Sequence, residues 1–214
     1  MFVVIFEVKP KPDHRDDYLR EAGLLRPELV NIDGYVSNER YSDLKREGYV
    51  LSLSMWQNEK ALIRWRTLGR HHLAQEAGRS KIFADYHLRV GELVADSGLG
   101  PGETLPQSRF DETEIGTAKY EALSEGRIEG ITENPSPSTI AAALGGIHET
   151  GNPGLVEWAG FRHLLRPDDI VLLTAWRSQS DAEDWLDVSA PSSAHHRIVR
   201  VIRDYGRSRP ASRR

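Results

Sequence analysis

The stretch Tyr49-Val-Leu-Ser-Leu-Ser-Met-Trp56 has a counterpart 120 positions later, Asp169-Ile-Val-Leu-Leu-Thr-Ala-Trp176. Both end in tryptophan, and both have the apolar content of a buried strand. The same separation relates three further pairs: Gly34 and Gly154, Tyr41 and Phe161, and Trp65 and Trp185. A histidine pair also recurs, as His71-His72 and His195-His196, after an insertion of four residues. This series of matches indicates an internal duplication.

Each copy predicts the element order of a ferredoxin-like unit, βαββαβ. In the first copy residues 2–8 form a predicted strand, and apolar residues from 18 to 32 recur every three or four positions, as on one face of a helix. Pro27 lies within that helix and predicts a kink or a break near Leu25. The other predicted elements are a hairpin of 34–41 and 49–56, a helix capped by Asn58, and a strand at 84–94. In the second copy the first helix is expected at 138–148 and the last strand at 197–205.

The third strand of the first copy predicts how the two copies assemble. Leu51, Leu53 and Met55 form one face of it, and Ser52, Ser54 and Trp56 form the other. Helices cover only one face of such a sheet, so the second apolar face needs another partner. The predicted fold is therefore α+β, with two βαββαβ repeats forming a dimeric α+β barrel inside one chain. Pairing between two chains is the alternative.

The chain divides into four predicted segments. These are a first repeat at 1–96, a linker at 97–116, a second and diverged repeat at 117–206, and a basic tail at 207–214. The formal charge is -4, which gives no general field for nucleic acid, and the short apolar start at residues 2–6 predicts neither a signal peptide nor a span. Cysteine is absent, which suits a reducing cytoplasm. We expect a cytoplasmic monomer or homodimer with no nucleic-acid or membrane partner.

The first repeat resembles the antibiotic biosynthesis monooxygenase superfamily of dimeric α+β barrels. The residues that carry the likeness are 51–66, followed by His71, Gln75, Gly78-Arg79 and 83–90. The resemblance implies an oxygenase without bound metal that acts on a polycyclic aromatic small molecule of polyketide antibiotic biosynthesis. The two-repeat length resembles, more finely, the flavin-assisted ring-opening oxygenases of angucycline biosynthesis. That likeness implies O2, reduced flavin (FADH2 or FMNH2), a separate flavin reductase, and cleavage of a carbon–carbon bond in a quinone ring.

The residues themselves are consistent with such chemistry. O2 reacts slowly with ordinary substrates, so an enzyme without metal needs a reduced flavin or a substrate made electron-rich by loss of a proton. No GxGxxG follows a predicted strand as a dinucleotide-binding motif does, and the run Gly98-Leu-Gly-Pro-Gly102 lies in the linker. A flavin is therefore expected to be a dissociable cosubstrate.

The candidate site residues follow from the same pattern. His71 matches the family's histidine and His72 is its neighbour, and a neutral imidazole suits the removal of a phenolic proton. Trp56 and Trp65 are candidates for stacking on a planar substrate, with core packing as the alternative for both. The other substrate-binding candidates are Ser52, Ser54, Asn38, Tyr41, Arg66, Arg79 and Tyr86.

Two other function classes stay open. The barrel could bind a ligand without catalysis, or it could bind and degrade haem with His71 or His72 as an axial ligand. Against haem, the first strand has Ile5 and Phe6 where such relatives have asparagine. A metal role would need a third ligand, and Asp85 and His87 have no metal-binding spacing to the histidine pair.

Overall fold

A computed structural model describes residues 1–132, 135–145, 147, 152–189 and 193–206, with only the backbone of Pro137 and Ser189. The predicted basic tail and His148 lie outside these residues, and the helix predicted at 138–148 ends earlier, at Leu144. The elements of the first repeat are β1 Phe2–Pro10, α1 Arg15–Leu29, β2 Tyr35–Asp43, β3 Val50–Trp56, α2 Glu59–Thr67, α3 Gly69–Ala77 and β4 Phe83–Asp96. Those of the second are β5 Tyr120–Arg127, α4 Pro137–Leu144, β6 Leu155–His163, β7 Asp169–Trp176, α5 Gln179–Ser189 and β8 His195–Gly206.

The eight strands close into one barrel in the order β1-β3-β2-β6-β7-β5-β8-β4. Each repeat contributes four adjacent strands, and the seams are β2 with β6 and β4 with β8, both antiparallel. Leu51, Leu53 and Met55 pack inside the barrel against residues of the second repeat such as Val171 and Leu173. The structure confirms the prediction that each repeat buries the apolar back of the other's sheet, within one chain.

The duplication is visible down to single turns. Gly34 and Gly154 both have a positive φ, of 87° and 78°. Their carbonyls accept hydrogen bonds from the backbone N–H of Gln57 and Arg177, each at 2.9 Å. A Cβ on Gly34 would lie 2.7 Å from the Cβ of Ala61, so glycine is required for conformation and for space. The turn that starts each hairpin therefore has the same geometry in both repeats.

The helices of the first repeat follow the sequence with one difference. α1 continues through Pro27 to Leu29 without the break that was one of the two predicted outcomes. Asn58 caps α2 as predicted, because its side-chain oxygen accepts the N–H of Ala61 at 2.9 Å. An extended residue, Leu68, separates α2 from α3. The chain thus changes direction between the segment that carries Trp65 and the segment that carries His71.

The barrel interior contains a charged cluster, which we call the interior ion cluster, of Glu7, Arg46, Arg89 and Glu121. Arg89 is almost fully buried and donates through its two terminal nitrogens to Glu7 and to Glu121. Arg46 donates to the second oxygen of Glu7. A cavity of about 10 Å³, room for about one water, adjoins the cluster and Glu157. The cluster joins β1 and β4 of the first repeat to β5 of the second.

Glu121 of this cluster makes stability depend on pH. Burial raises the pKa of its carboxyl to about 8 from the ordinary 4.5, and the charge of Arg89 offsets this only in part while Glu157 and Glu7 add to it. The folded chain therefore holds a proton between these pH values that the unfolded chain has lost. We expect the free energy of unfolding to fall by up to about 1.4 kcal/mol per pH unit as pH rises through this window.

Chemical denaturation of wild type and Glu121→Gln from pH 5 to pH 9 measures this slope. The variant cannot lose the proton, so its unfolding free energy should vary less with pH. Identical slopes for the two proteins would contradict the assignment of the proton to Glu121.

Candidate active site

The helices of the two repeats cover their sheets to different extents. In the first repeat Arg40, Ser52, Phe6 and Leu88 lie side by side in one row across the four strands. All four are partly exposed. Phe6 and Ser52 lie on the two central strands, so their exposure means that the helices leave an opening above the middle of the sheet.

The equivalent row of the second repeat is closed. Register pairing places Gly160, Leu172, Ser124 and His196 at the matching positions. All four are buried, and the hydroxyl of Ser124 forms a hydrogen bond of 2.8 Å with Nδ1 of His196. The second repeat therefore has no opening at the place where the first repeat has one.

The hydrophobic clusters show the same difference. Under α4 and α5 a single apolar cluster spans the sheet face, from Ile140 and Leu172 to Trp176 and Trp185. Under the helices of the first repeat the apolar residues divide into two clusters. One is centred on Trp56 and the other on Phe83. The partly exposed row lies between them, and we call this opening, bordered by Phe6, Asn38, Arg40, Ser52 and Leu88, the sheet–helix gap.

Trp65 and His71 form a stacked pair on the helix side of the first repeat. Their ring centroids are 4.1 Å apart and their planes differ by 17°. Trp65 packs against the Trp56 cluster, as do Val4 and Val90 of the sheet. Both residues are partly exposed, so the pair lies at the border of the apolar cluster.

The surroundings of His71 set its protonation. Nδ1 lies 2.9 Å from the carbonyl oxygen of Trp65, which can only accept, so Nδ1 carries the hydrogen and Nε2 is the proton-accepting atom of the neutral ring. The side-chain amide nitrogen of Gln75 lies beside the same ring, 3.2 Å from Nδ1 and 3.4 Å from Nε2. Burial lowers the pKa of His71 below its ordinary 6.5. His71 is therefore neutral at pH 7 and equipped to act as a base.

Trp185, the counterpart of Trp65, has a different environment. Its indole N–H donates to the carbonyl of Gly145 at 2.7 Å, and its ring packs 5.3 Å from that of Trp176. It is 4% exposed. The core interpretation therefore holds for Trp185, whereas Trp65 keeps an accessible ring next to an imidazole.

The structure brings together some of the residues that the sequence singled out. Asn38 donates to the hydroxyl of Ser52 at 3.1 Å, so these two lie in the sheet–helix gap. Tyr86 lies on the same face and contacts Phe6, with 6.3 Å between ring centroids. A hydroxyl, an amide and aromatic rings therefore meet above the first sheet.

Other candidates lie elsewhere. Trp56 is fully buried and donates to the hydroxyl of Ser54 at 3.0 Å, just as Trp176 donates to Thr174 at 2.8 Å. This matched geometry places both Trp56 and Ser54 in the core and leaves no indole face for a ligand. Tyr41 lies inside the barrel against His163, on the opposite face of β2 from Asn38.

Three further candidates are on the surface. His72, Arg66 and Arg79 are exposed on the helical segments. Nε2 of His72 lies 3.6 Å from a carboxylate oxygen of Glu76, one turn further along α3. The geometry therefore favours His71 over His72 as the base.

Sequence analysis missed Arg40, Phe6 and Leu88 as members of the site. Strand alternation puts Arg40 on the same face as Asn38, and that signal was available in the sequence. Phe6 and Leu88 carry no such signal, because an apolar strand residue is expected in the core whether or not a helix covers it.

The glycine-rich run of the linker, Gly98-Leu-Gly-Pro-Gly102, bonds to the chain's own carboxylates. The backbone N–H groups of Gly98 and Gly100, which a flavin phosphate would need, donate to the carboxylates of Asp96 and Glu103. Across the ranges that the structure describes, no three His, Asp or Glu side chains are grouped to hold a metal ion. No helix within those ranges is long and apolar enough to cross a membrane.

Comparison with known proteins assigns the family. The family model described as "Antibiotic biosynthesis monooxygenase" matches residues 1–77. A protein of Pyricularia oryzae (strain 70-15) named jasmonate monooxygenase ABM is 41% identical over 213 residues, which are 97% of this chain and 94% of that protein. The chain belongs to the antibiotic biosynthesis monooxygenase family. It is therefore a monooxygenase of this family, and the predicted resemblance is confirmed.

Solved structures add information on the fold. An aldoxime dehydratase has a TM-score of 0.51 at 11% identity, over 94% of this chain and 80% of that one. This likeness shows a shared fold alone. An anthrone oxidase-like protein matches 99% of this chain and 95% of its own at 12% identity, with a TM-score of 0.40, which is too low to support an argument.

Proposed function

We propose that this monooxygenase acts in the sheet–helix gap of its first repeat, on a small cyclic ketone of the jasmonate type. The observation that carries the proposal is the row of four partly exposed residues above the first sheet, whose four counterparts in the second repeat are buried. The substrate class is supported by the 41% identity to a protein named jasmonate monooxygenase. The second repeat then serves as the scaffold that completes the barrel.

The stoichiometry of a monooxygenation is fixed. One atom of O2 enters a C–H bond of the substrate as a hydroxyl, and the other leaves as water, which consumes two electrons and two protons. A reduced flavin, as a dissociable cosubstrate made by a separate reductase, would supply those electrons. This chain's own contribution is to bind the substrate, exclude water and move protons.

His71 is the proposed base. A carbon next to a ketone is acidic enough for a positioned imidazole to remove its proton, and the resulting enolate is electron-rich. The partly exposed hydroxyl of Ser52 accepts a hydrogen bond from the amide of Asn38 and would in turn donate to the enolate oxygen. Trp65 and Phe6 provide the apolar walls.

A polycyclic hydroquinone is the second substrate class. The aromatic rings of Phe6, Tyr86 and Trp65 around the gap favour it, because planar substrates stack on such rings. A hydroquinone would itself supply two electrons to O2, and an angucycline-type quinone with reduced flavin would undergo ring opening. The same base and the same donors would serve either substrate.

Filling the gap tests its role. Ser52→Leu copies Leu172 of the second repeat and should lower turnover by about 100-fold, because even small displacements of a substrate are costly. Folding should be preserved, since the second repeat accepts leucine here. The assay supplies O2, NADH, flavin and a flavin reductase, with jasmonate and a panel of polycyclic quinones as substrates.

Ser52→Ala is the matched control. It removes the hydroxyl but keeps the gap open, so any loss of turnover measures that donor alone, and substrate binding should stay close to that of wild type whereas Ser52→Leu should abolish it. Full activity of Ser52→Leu would refute the proposal that the active site lies in the sheet–helix gap. Tight binding without turnover by wild type would support a non-catalytic barrel, and a Soret band on adding haem would support haem binding.

A further inference from the structure

Arg40 is a cation at the edge of the sheet–helix gap. It lies on β2 directly opposite Ser52, and its side chain is on the face that carries Asn38 two residues earlier. It is partly exposed, at one end of the row that continues through Phe6 to Leu88. A charged side chain thus borders an otherwise neutral opening.

The guanidinium of Arg40 has no anionic partner within the described ranges. Its Nε is buried and has no hydrogen-bond acceptor there. The Nε of Arg89 also lacks an acceptor, but Arg89 and Arg46 each donate to a carboxylate through a terminal nitrogen, and Arg40 has no such pair among the residues that the structure describes. A partly buried charge without a partner is costly, so the position of Arg40 is best explained by an anion that binds there.

The second repeat has no cation at the matching position. Gly160 stands there, and a Cβ on it would lie 3.3 Å from Ile140 and 3.4 Å from Leu44. Apolar side chains therefore fill the space that Arg40 borders in the first repeat. The cation and the opening occur together in one repeat and are absent together from the other.

We propose that Arg40 binds the carboxylate of the substrate, and that this enzyme acts on small carboxylic acids in their anionic form. The inference rests on the proposed function, since it takes the sheet–helix gap as the substrate site. A guanidinium pairs with a carboxylate through two parallel hydrogen bonds, which fix orientation as well as position. One end of the substrate would be held by Arg40 and the ring would lie over Ser52 and Phe6. A neutral ester of the same acid would lose this contact.

The test compares jasmonate with methyl jasmonate on wild type, Arg40→Gln and Arg40→Lys. Binding is followed without turnover, by tryptophan fluorescence under anaerobic conditions, and turnover is followed separately. We expect Arg40→Gln to weaken binding and raise KM for the acid by about 10- to 100-fold, the value of a charged hydrogen bond, and to leave the ester within about two-fold. Arg40→Lys should recover part of the loss. Arg66 is an exposed arginine on α2, so Arg66→Gln is the control and should change the binding of neither the acid nor the ester.

Each outcome separates the two proposals. Unchanged binding of the acid by Arg40→Gln would overturn the proposal that Arg40 anchors the substrate carboxylate, while the proposed reaction would stand. Equal losses for acid and ester would also overturn it, because a structural defect does not distinguish them. Arg40-dependent binding of the acid without turnover would support the anchor and count against the reaction. No binding of jasmonate by wild type would overturn the anchor as stated.

Discussion

Replacing His71 with alanine is expected to lower turnover by about 100- to 10,000-fold, the usual contribution of a positioned base. The Trp65 carbonyl holds the hydrogen on Nδ1, so Nε2 is the atom that accepts the substrate's proton. The partly exposed position of His71 means that its loss leaves no large core cavity. The melting temperature should therefore change little, and steady-state kinetics with thermal unfolding measures both.

His72→Ala is the matched control for this experiment. His72 is exposed and lies near Glu76 instead of stacking on Trp65, so its removal should keep turnover within about two-fold. Burial lowers the pKa of His71, so the neutral, active form should persist below pH 6.5 and kcat/KM should fall only at more acidic pH. A His71→Ala enzyme with wild-type turnover would rule out this base.

Replacing Arg89 with methionine is expected to destabilise the fold by about 3–5 kcal/mol, the cost of breaking a buried ion pair from one side. Arg89 is 2% exposed and bonds both Glu7 of the first repeat and Glu121 of the second. Its loss would leave two carboxyls without their common partner inside the barrel. Equilibrium urea unfolding at pH 7 measures the change.

Arg64→Met is the control for the buried substitution. Arg64 pairs with Asp33 at 3.0 Å, but both side chains are more than half exposed. Such surface pairs contribute about 0–1 kcal/mol, so this variant should unfold close to wild type. Equal stabilities for the two variants would show that the interior ion cluster does not hold the repeats together.

Much of the architecture was predictable from periodicity. The separation of 120 residues relates Trp56 to Trp176 and Gly34 to Gly154, and these pairs have matching hydrogen bonds in the structure. The alternation of Leu51, Leu53 and Met55 predicted a second buried face, which is the barrel interior. Local pattern suffices for such features because strand direction and side-chain face depend on neighbours in the sequence.

The site was predictable only in part. His71, Trp65, Asn38 and Ser52 were named from the sequence, and the structure pairs the first two on the helices and the other two on the sheet of the first repeat. Trp56 was favoured over Trp65 because Ser52 and Ser54 share its strand face, but Ser54 satisfies its indole inside the core. A pattern of residues does not show which of two tryptophans a helix leaves uncovered.

The sequence by itself determined that this chain is a duplicated ferredoxin-like unit whose two sheets need each other, because apolar periodicity is a local property and the 120-residue repeat is a match between residues that needs no structure. Only the tertiary structure decided that the first repeat is open where the second is closed. It also decided that Arg40 lacks a partner while Arg89 has two. Exposure and charge pairing depend on elements far apart in the chain, and no local pattern specifies them.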